Sequence, residues 1–156
     1  MASCLNAAMP MKSESRWAVD TNVLVYATAP DAPPDKQRRA QDLLQQLFTS
    51  PLGCLPGQVL SEYLAVVLRK RTMSPALAIE AVSVWAQAVK VLGASVPTYE
   101  QAWRLATAHQ YQVWDALIVA VCAEHGVKKL FSEDAGSMRQ PLGVRVINPF
   151  LKTIST

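Results

Sequence analysis

Residues 116–123 (ALIVAVCA) present no charged or strongly polar side chain on any face. A helix that is apolar all round must be buried all round. No run of 18 or more apolar residues occurs in the chain, so this segment cannot be a membrane span. The fold must therefore cover every side of it with other layers. The supply of apolar residues is adequate: 51% of the 156 residues are hydrophobic and 17% charged. That excludes a disordered or collagen-like chain and fits one domain whose core needs no covalent staple.

The rest of the pattern alternates short strands with helices. Residues 17–19 read as a buried strand, followed by the polar break Asp20-Thr21-Asn22 and then Val23 to Tyr26. Asp20 can equally cap a helix that starts at Asn22. Ala40, Leu43, Leu44, Leu47 and Phe48 fall on one face of a helix over 36–48. Residues 52–55 read as a strand, 58–70 as a helix ending in Arg69-Lys70-Arg71, and Ser74-Pro75 as the start of another helix reaching 89. A short strand lies within 89–96. Thr98 with Gln101 reads as a capping box opening a helix to about residue 110. Gly126 stops the apolar helix, and strands follow at 129–132 and 144–147. This order implies an α/β domain with a mostly parallel sheet.

Cys4, Cys54 and Cys122 are odd in number and form no Cys-x-x-Cys pair. His109 and His125 have no partner at a ligand spacing. A disulfide framework and a structural zinc are thus both unexpected, and a cytoplasmic, reducing location fits. Residues 1–16 lack the apolar stretch of a signal peptide and are expected to be a flexible extension, with Met11 an alternative start. The expected division is an extension at 1–16, a domain at 17–150 and a tail at 151–156.

Four acids carry the functional argument. Asp20 closes the first strand and Asp134 follows a later one. Glu62 and Asp115 lie near helix starts, with only apolar residues at i+3 and i+4. In an open parallel sheet, ligands bind beyond the carboxyl ends of the strands. Carboxylates about 5 Å apart in an effective dielectric of about 20 repel by roughly 3 kcal/mol. A divalent cation removes that cost, and an all-oxygen donor set favours Mg²⁺ or Mn²⁺ over Zn²⁺. Taken singly, each acid also fits an ordinary role as a cap, a first-turn acid or a turn residue.

The ordered set Val19-Asp20-Thr21-Asn22, Leu60-Ser61-Glu62-Tyr63-Leu64, Trp114-Asp115-Ala116-Leu117-Ile118, Phe131-Ser132-Glu133-Asp134 and the closing Gly143 to Phe150 resembles PIN-domain nucleases, especially VapC-like toxins of type II toxin–antitoxin pairs. The resemblance implies a three-layer α/β/α sandwich around a central, mostly parallel sheet. It implies a metal-dependent endoribonuclease in which Asp20, Glu62, Asp115 and Asp134 form the catalytic, metal-binding quartet. Asp20 and Asp115 would be direct Mg²⁺ ligands, and Asn22 and Ser132 would orient ligands or water. Hydrolysis would leave a 5′-phosphate and a 3′-hydroxyl. A homodimer and a cognate antitoxin are the implied protein partners. The Ala135-Gly136-Ser137-Met138 sequence departs from the usual continuation, which makes Glu133 an alternative to Asp134.

The formal net charge is +3. Setting the four acids aside leaves eight acids against fifteen bases, a surplus of seven positive charges suited to an RNA backbone. Arg38, Arg39, Arg69, Lys70, Arg71 and Arg104 are candidate phosphate contacts. Trp85 and Trp103 are expected in the core or a dimer interface rather than stacked on bases, and His109 is expected to be buried. Two rival readings share the same residues: an RNA-processing nuclease outside any toxin pair, and a PIN fold that binds RNA or protein without cutting.

Overall fold

The computed structural model describes residues 14–136 and 140–151. Five parallel strands form one sheet: β1 (Arg16–Val19), β2 (Gly53–Pro56), β3 (Lys90–Leu92), β4 (Val127–Phe131) and β5 (Arg145–Ile147). Their spatial order is β3-β2-β1-β4-β5. The helices are α1 (Thr21–Thr28), α2 (Pro34–Thr49), α3 (Gly57–Lys70), α4 (Pro75–Ala88), α5 (Val96–His109) and α6 (Val113–Glu124). From β1 the chain steps outward through β2 to β3, then returns across the sheet to β4. Right-handed crossovers therefore place α1 to α4 on one face and α5 and α6 on the other. The packing agrees, with α1 against α2 and α3, α3 against α4, and α5 against α6. The fold is the expected three-layer α/β/α sandwich, and its sheet is parallel throughout.

The apolar helix behaves as its composition demands. Every residue from Ala116 to Cys122 is buried. Gly126 then takes a positive φ of 72°, which lets the chain leave α6 and enter β4. Cys54 and Cys122 are buried free thiols, while Cys4 lies outside the described residues. Among the described residues no helix is long and apolar enough to cross a membrane.

Several boundaries differ from expectation. β1 starts at Arg16, whose guanidinium donates to the carbonyl of His125 at 3.1 Å, so this residue belongs to the sheet and not to the extension. Residues 1–13 and 152–156 lie outside the described residues. The polar break after β1 is the start of α1, with Asp20 as its N-cap. The capping box is real but sits three residues earlier: Ser95 is the cap and Thr98 the third helical residue. Pro97 fits there because the first turn of a helix needs no amide hydrogen from it. His109 is exposed, because it is the last residue of α5 and projects past the packed stripe beside Tyr111.

One close approach locks α2 to β2. A Cβ on Gly53 would stand 2.7 Å from the carbonyl oxygen of Leu47 and 2.9 Å from its Cδ1. Gly53→Ala is expected to destabilise the fold by about 2–3 kcal/mol through backbone displacement. A thermal melt reads this directly, and an unchanged midpoint would disprove the close packing.

Candidate active site

The crossover direction reverses between β1 and β4, which places the topological switch point between these two adjacent strands. Asp20 immediately follows β1, and Ser132 to Asp134 immediately follow β4. The backbone N–H of Asp20 donates to the Phe131 carbonyl at 2.9 Å, which holds the two strand ends together. α3 and α6 then bring Glu62 and Asp115 to the same edge. Asp20, Glu62, Asp115 and Asp134 all line one cleft of about 320 Å³, together with Thr21, Asn22, Tyr26, Arg69 and Lys70. Four separate stretches of chain thus deliver carboxylates to a shared space.

Asp20 is 5% exposed and Ser132 fully buried. One carboxylate oxygen of Asp20 accepts the Thr21 N–H at 2.7 Å, and the other accepts the Ser132 hydroxyl at 2.7 Å. Ser132 Oγ also accepts from the Asp134 N–H at 3.1 Å and from Asn22 Nδ2 at 3.3 Å. Asn22 reaches on to Asp134 Oδ2 at 3.4 Å. Ser132 therefore ties the cap of α1 to the turn after β4. Glu62 accepts from Thr21 Oγ1 at 3.0 Å and from the Gln58 amide. Thr21 and Gln58 carry no charge pattern and escape sequence reasoning, although Gln58 stands one helical turn before Glu62 on α3.

The electrostatics are those of crowded acids. Burial pushes the Asp20 carboxyl up, hydrogen bonds from Ser132 and Thr21 pull it partly back, and repulsion from Glu62 and Asp134 raises it again. Asp115 is pushed up to about 6, first by burial and then by Asp20, Asp134 and Glu62. No ion pair to Asp20, Glu62 or Asp115 occurs among the described residues. Nor, among them, do three His, Cys or acidic groups stand ready at ligand spacing. The fit to a metal therefore rests on donor chemistry. The cleft offers carboxylates, two hydroxyls and an amide, with no thiol or imidazole, which suits a hard divalent cation.

Glu133 serves a different purpose from its neighbour. It pairs with Lys36 and accepts from the Tyr26 hydroxyl at 2.6 Å, outside the lining of the cleft. Burial acts to raise its pKa, but the hydrogen bonds from Lys36 and Tyr26 and the Lys36 charge outweigh it and leave the group below its usual range. Asp134, not Glu133, is the acid at the cleft.

The basic candidates separate cleanly. Arg69 and Lys70 line the cleft. Arg38 pairs with Asp35, Arg104 with Glu100 at 3.6 Å, and Arg39 donates to the Pro149 carbonyl at 3.2 Å. Arg71 is exposed as the C-cap of α3, with a φ of 53°. Trp85 is buried against Tyr63, at 4.8 Å between ring centres, whereas Trp103 is 54% exposed beside Tyr99.

The comparisons with known proteins follow the same lines. VapC20 of Mycobacterium tuberculosis, described as a toxin that cleaves the sarcin–ricin loop, superposes with a TM-score of 0.65 at 23% identity, over 83% of this chain and 98% of that one. A DNA-bound VapBC of Salmonella typhimurium gives 0.64 at 13% identity, over 87% and 99%. A toxin–antitoxin complex of Klebsiella pneumoniae gives 0.62 at 17% identity, over 85% and 96%. No curated protein sequence matches the chain. At such identities the structural likeness speaks for the fold. The family rests on sequence: the PIN domain pattern matches residues 18–140, a span that runs from the strand before Asp20 past Asp134, and this chain belongs to the PIN domain family.

Proposed function

We propose that the protein is a divalent-cation-dependent endoribonuclease acting as the toxin of a toxin–antitoxin pair. The observation that carries this reading is the convergence of Asp20, Glu62, Asp115 and Asp134 on one cleft, where Asp115 feels the other three. Asp20 and Asp115 are the principal Mg²⁺ or Mn²⁺ ligands, with Glu62 and Asp134 completing the set directly or through water. Such an ion, when bound, makes water nucleophilic at neutral pH and offsets charge on the leaving oxygen. The chain's own residues hold the geometry. Ser132 and the Thr21 N–H fix the Asp20 carboxylate, Thr21 Oγ1 and Gln58 fix Glu62, and Asn22 steadies Asp134. Arg69 and Lys70 on the same cleft are the proposed phosphate contacts, ahead of Arg38, Arg39, Arg71 and Arg104.

The relatives described as toxin–antitoxin assemblies support an antitoxin partner for this chain. Leu77 and Val84, seven residues apart and so on one side of α4, are exposed, and they supply an apolar strip for a second copy.

The test is cleavage of labelled single-stranded RNA with Mg²⁺ or Mn²⁺. Activity is expected with either ion, to vanish with EDTA and to return with excess metal. Cleavage that persists in EDTA overturns the metal requirement. Binding without cleavage across several RNAs selects the non-cutting module instead. Induction in cells is expected to arrest growth; normal growth with RNA cleavage in vitro leaves a nuclease and removes the toxin role.

A further inference from the structure

The acidic cleft does not end at Asp115. A second cleft of about 450 Å³ adjoins it and shares Glu62, Val66, Arg69 and Asp115 with the first. Trp114 lines this extension with 62% of its surface exposed, and no other aromatic ring packs on it among the described residues. Its backbone is held. The Trp114 carbonyl accepts from Gln58 Nε2 at 3.2 Å, and the same amide donates to Glu62. One glutamine therefore couples the position of an acid at the centre to the position of an exposed indole beside it. Ser61 and Gln112 add neutral hydrogen-bonding groups, and Arg69 is the cation common to both clefts.

A flat apolar ring, neutral polar groups and one guanidinium, continuous with a carboxylate centre, match the parts of a nucleotide. We propose that Trp114 is a stacking platform for an unpaired base next to the scissile phosphate, with Arg69 taking the phosphate between them. This rests on the ribonuclease reading above. Stacking on an indole tolerates any base but requires an unstacked one, so it selects single-stranded over duplex RNA. The exposed bases of a helix-free segment can reach the ring; those of a duplex cannot.

The experiment uses fluorescence anisotropy of a short labelled single-stranded RNA with Mg²⁺, in the Asp20→Asn background to suppress cutting. Trp114→Ala is expected to weaken binding about tenfold, the scale of one stacked base, while Trp114→Phe retains it. Removing the stacked base from the RNA is expected to cost as much with the parent protein and nothing further with Trp114→Ala. Parent-like binding by Trp114→Ala overturns the proposal, as does an abasic penalty that survives in that variant. So does intact RNA binding combined with lost binding of a protein partner, which would assign the ring to that partner. Mg²⁺-dependent cleavage by the unaltered protein is measured alongside. If it cuts RNA and Trp114→Ala binds normally, only the stacking platform falls; if it neither binds nor cuts RNA, the ribonuclease reading falls as well.

Discussion

Asp115→Asn is expected to silence RNA cleavage and to raise the melting temperature of the metal-free protein. The catalytic loss should exceed the ~10–100-fold that removal of an outer-shell partner typically costs, because the carboxylate itself is the proposed ligand. The stability gain follows from linkage. Asp115 titrates near 3.8 in a free chain and is pushed up to about 6 in the fold. The folded protein therefore holds its proton more tightly than the unfolded one. The contribution of Asp115 to stability is fully present below about pH 4, is lost as pH rises through about 6, and stays absent above it. Taken whole, the shift amounts to roughly 3 kcal/mol at 1.36 kcal/mol per unit. Asp115 is half-buried, so solvent screening reduces this to about 1–2 kcal/mol. Removing the charge at pH 7 should then lift the midpoint by about 3–6 °C in a chain of this size. Melts in EDTA at about pH 4 and pH 7 check the sign: the gap between variant and parent should open as pH rises. A gap that is constant with pH, or a variant that melts lower at pH 7, defeats the account of crowded carboxylates. Added Mg²⁺ should stabilise the parent more than the variant.

The parts of this site that sequence reveals are those with a pattern behind them. Asp115 stands out because it opens a helix with no other charge until Glu124, and Asp20 because it ends a buried run. Topology then explains their meeting, since adjacent parallel strands with reversed crossovers leave one crevice at their carboxyl ends. Thr21 and Gln58 are invisible by the same logic: a neutral polar side chain at a buried or half-buried position leaves no periodic trace. Trp114 is equally silent, because adjacency to an acid says nothing about which way a ring faces. The basic residues teach a different lesson. Asp35 lies three residues before Arg38 and Glu100 four before Arg104, spacings that favour local helical pairs. Arg69 and Lys70 have no acid at those spacings on α3, whose one acid, Glu62, stands seven and eight residues back, and they are the two that line the cleft. Net charge alone cannot make that distinction; local pairing sets Arg38 and Arg104 apart, while Arg71, which has no such acid, misses the cleft because it caps α3 in a left-handed conformation. Glu133 is drawn from the cleft by Lys36 and Tyr26, which arrive from about a hundred residues away along the chain, while Asn22 meets Asp134.

Asp20→Ala is expected to abolish cleavage as completely as Asp115→Asn, yet to lower the melting temperature. The two acids share a cleft and a charge, but they differ in what depends on them. Asp20 satisfies the Thr21 N–H at the start of α1 and the hydroxyl of fully buried Ser132. No hydrogen bond reaches the Asp115 carboxylate from the described residues. Alanine at position 20 strands both donors. Loss of an N-cap costs about 0.5–2 kcal/mol, and a buried donor left without an acceptor about 1–3 kcal/mol. Relief of burial and of repulsion from Glu62 and Asp134 works the other way, since both hold the Asp20 carboxyl above its usual range. A carboxyl in either protonation state keeps oxygens for both hydrogen bonds whereas alanine offers none, so a net loss of about 1–2 kcal/mol is expected. Asp20→Asn separates the terms. It removes the charge, keeps an oxygen for the Thr21 N–H and should melt between Asp20→Ala and the parent or above the parent, while remaining inactive. The decisive pairing is thermal melts in EDTA beside RNA cleavage in Mg²⁺. Two inactive variants that move the midpoint in opposite directions would show that one carboxylate holds the site together and the other is held there by it. If Asp20→Ala melts as high as Asp115→Asn, Asp20 is not the keystone of the β1–α1 junction, and the coupling of cap, Ser132 and metal ligand is wrong.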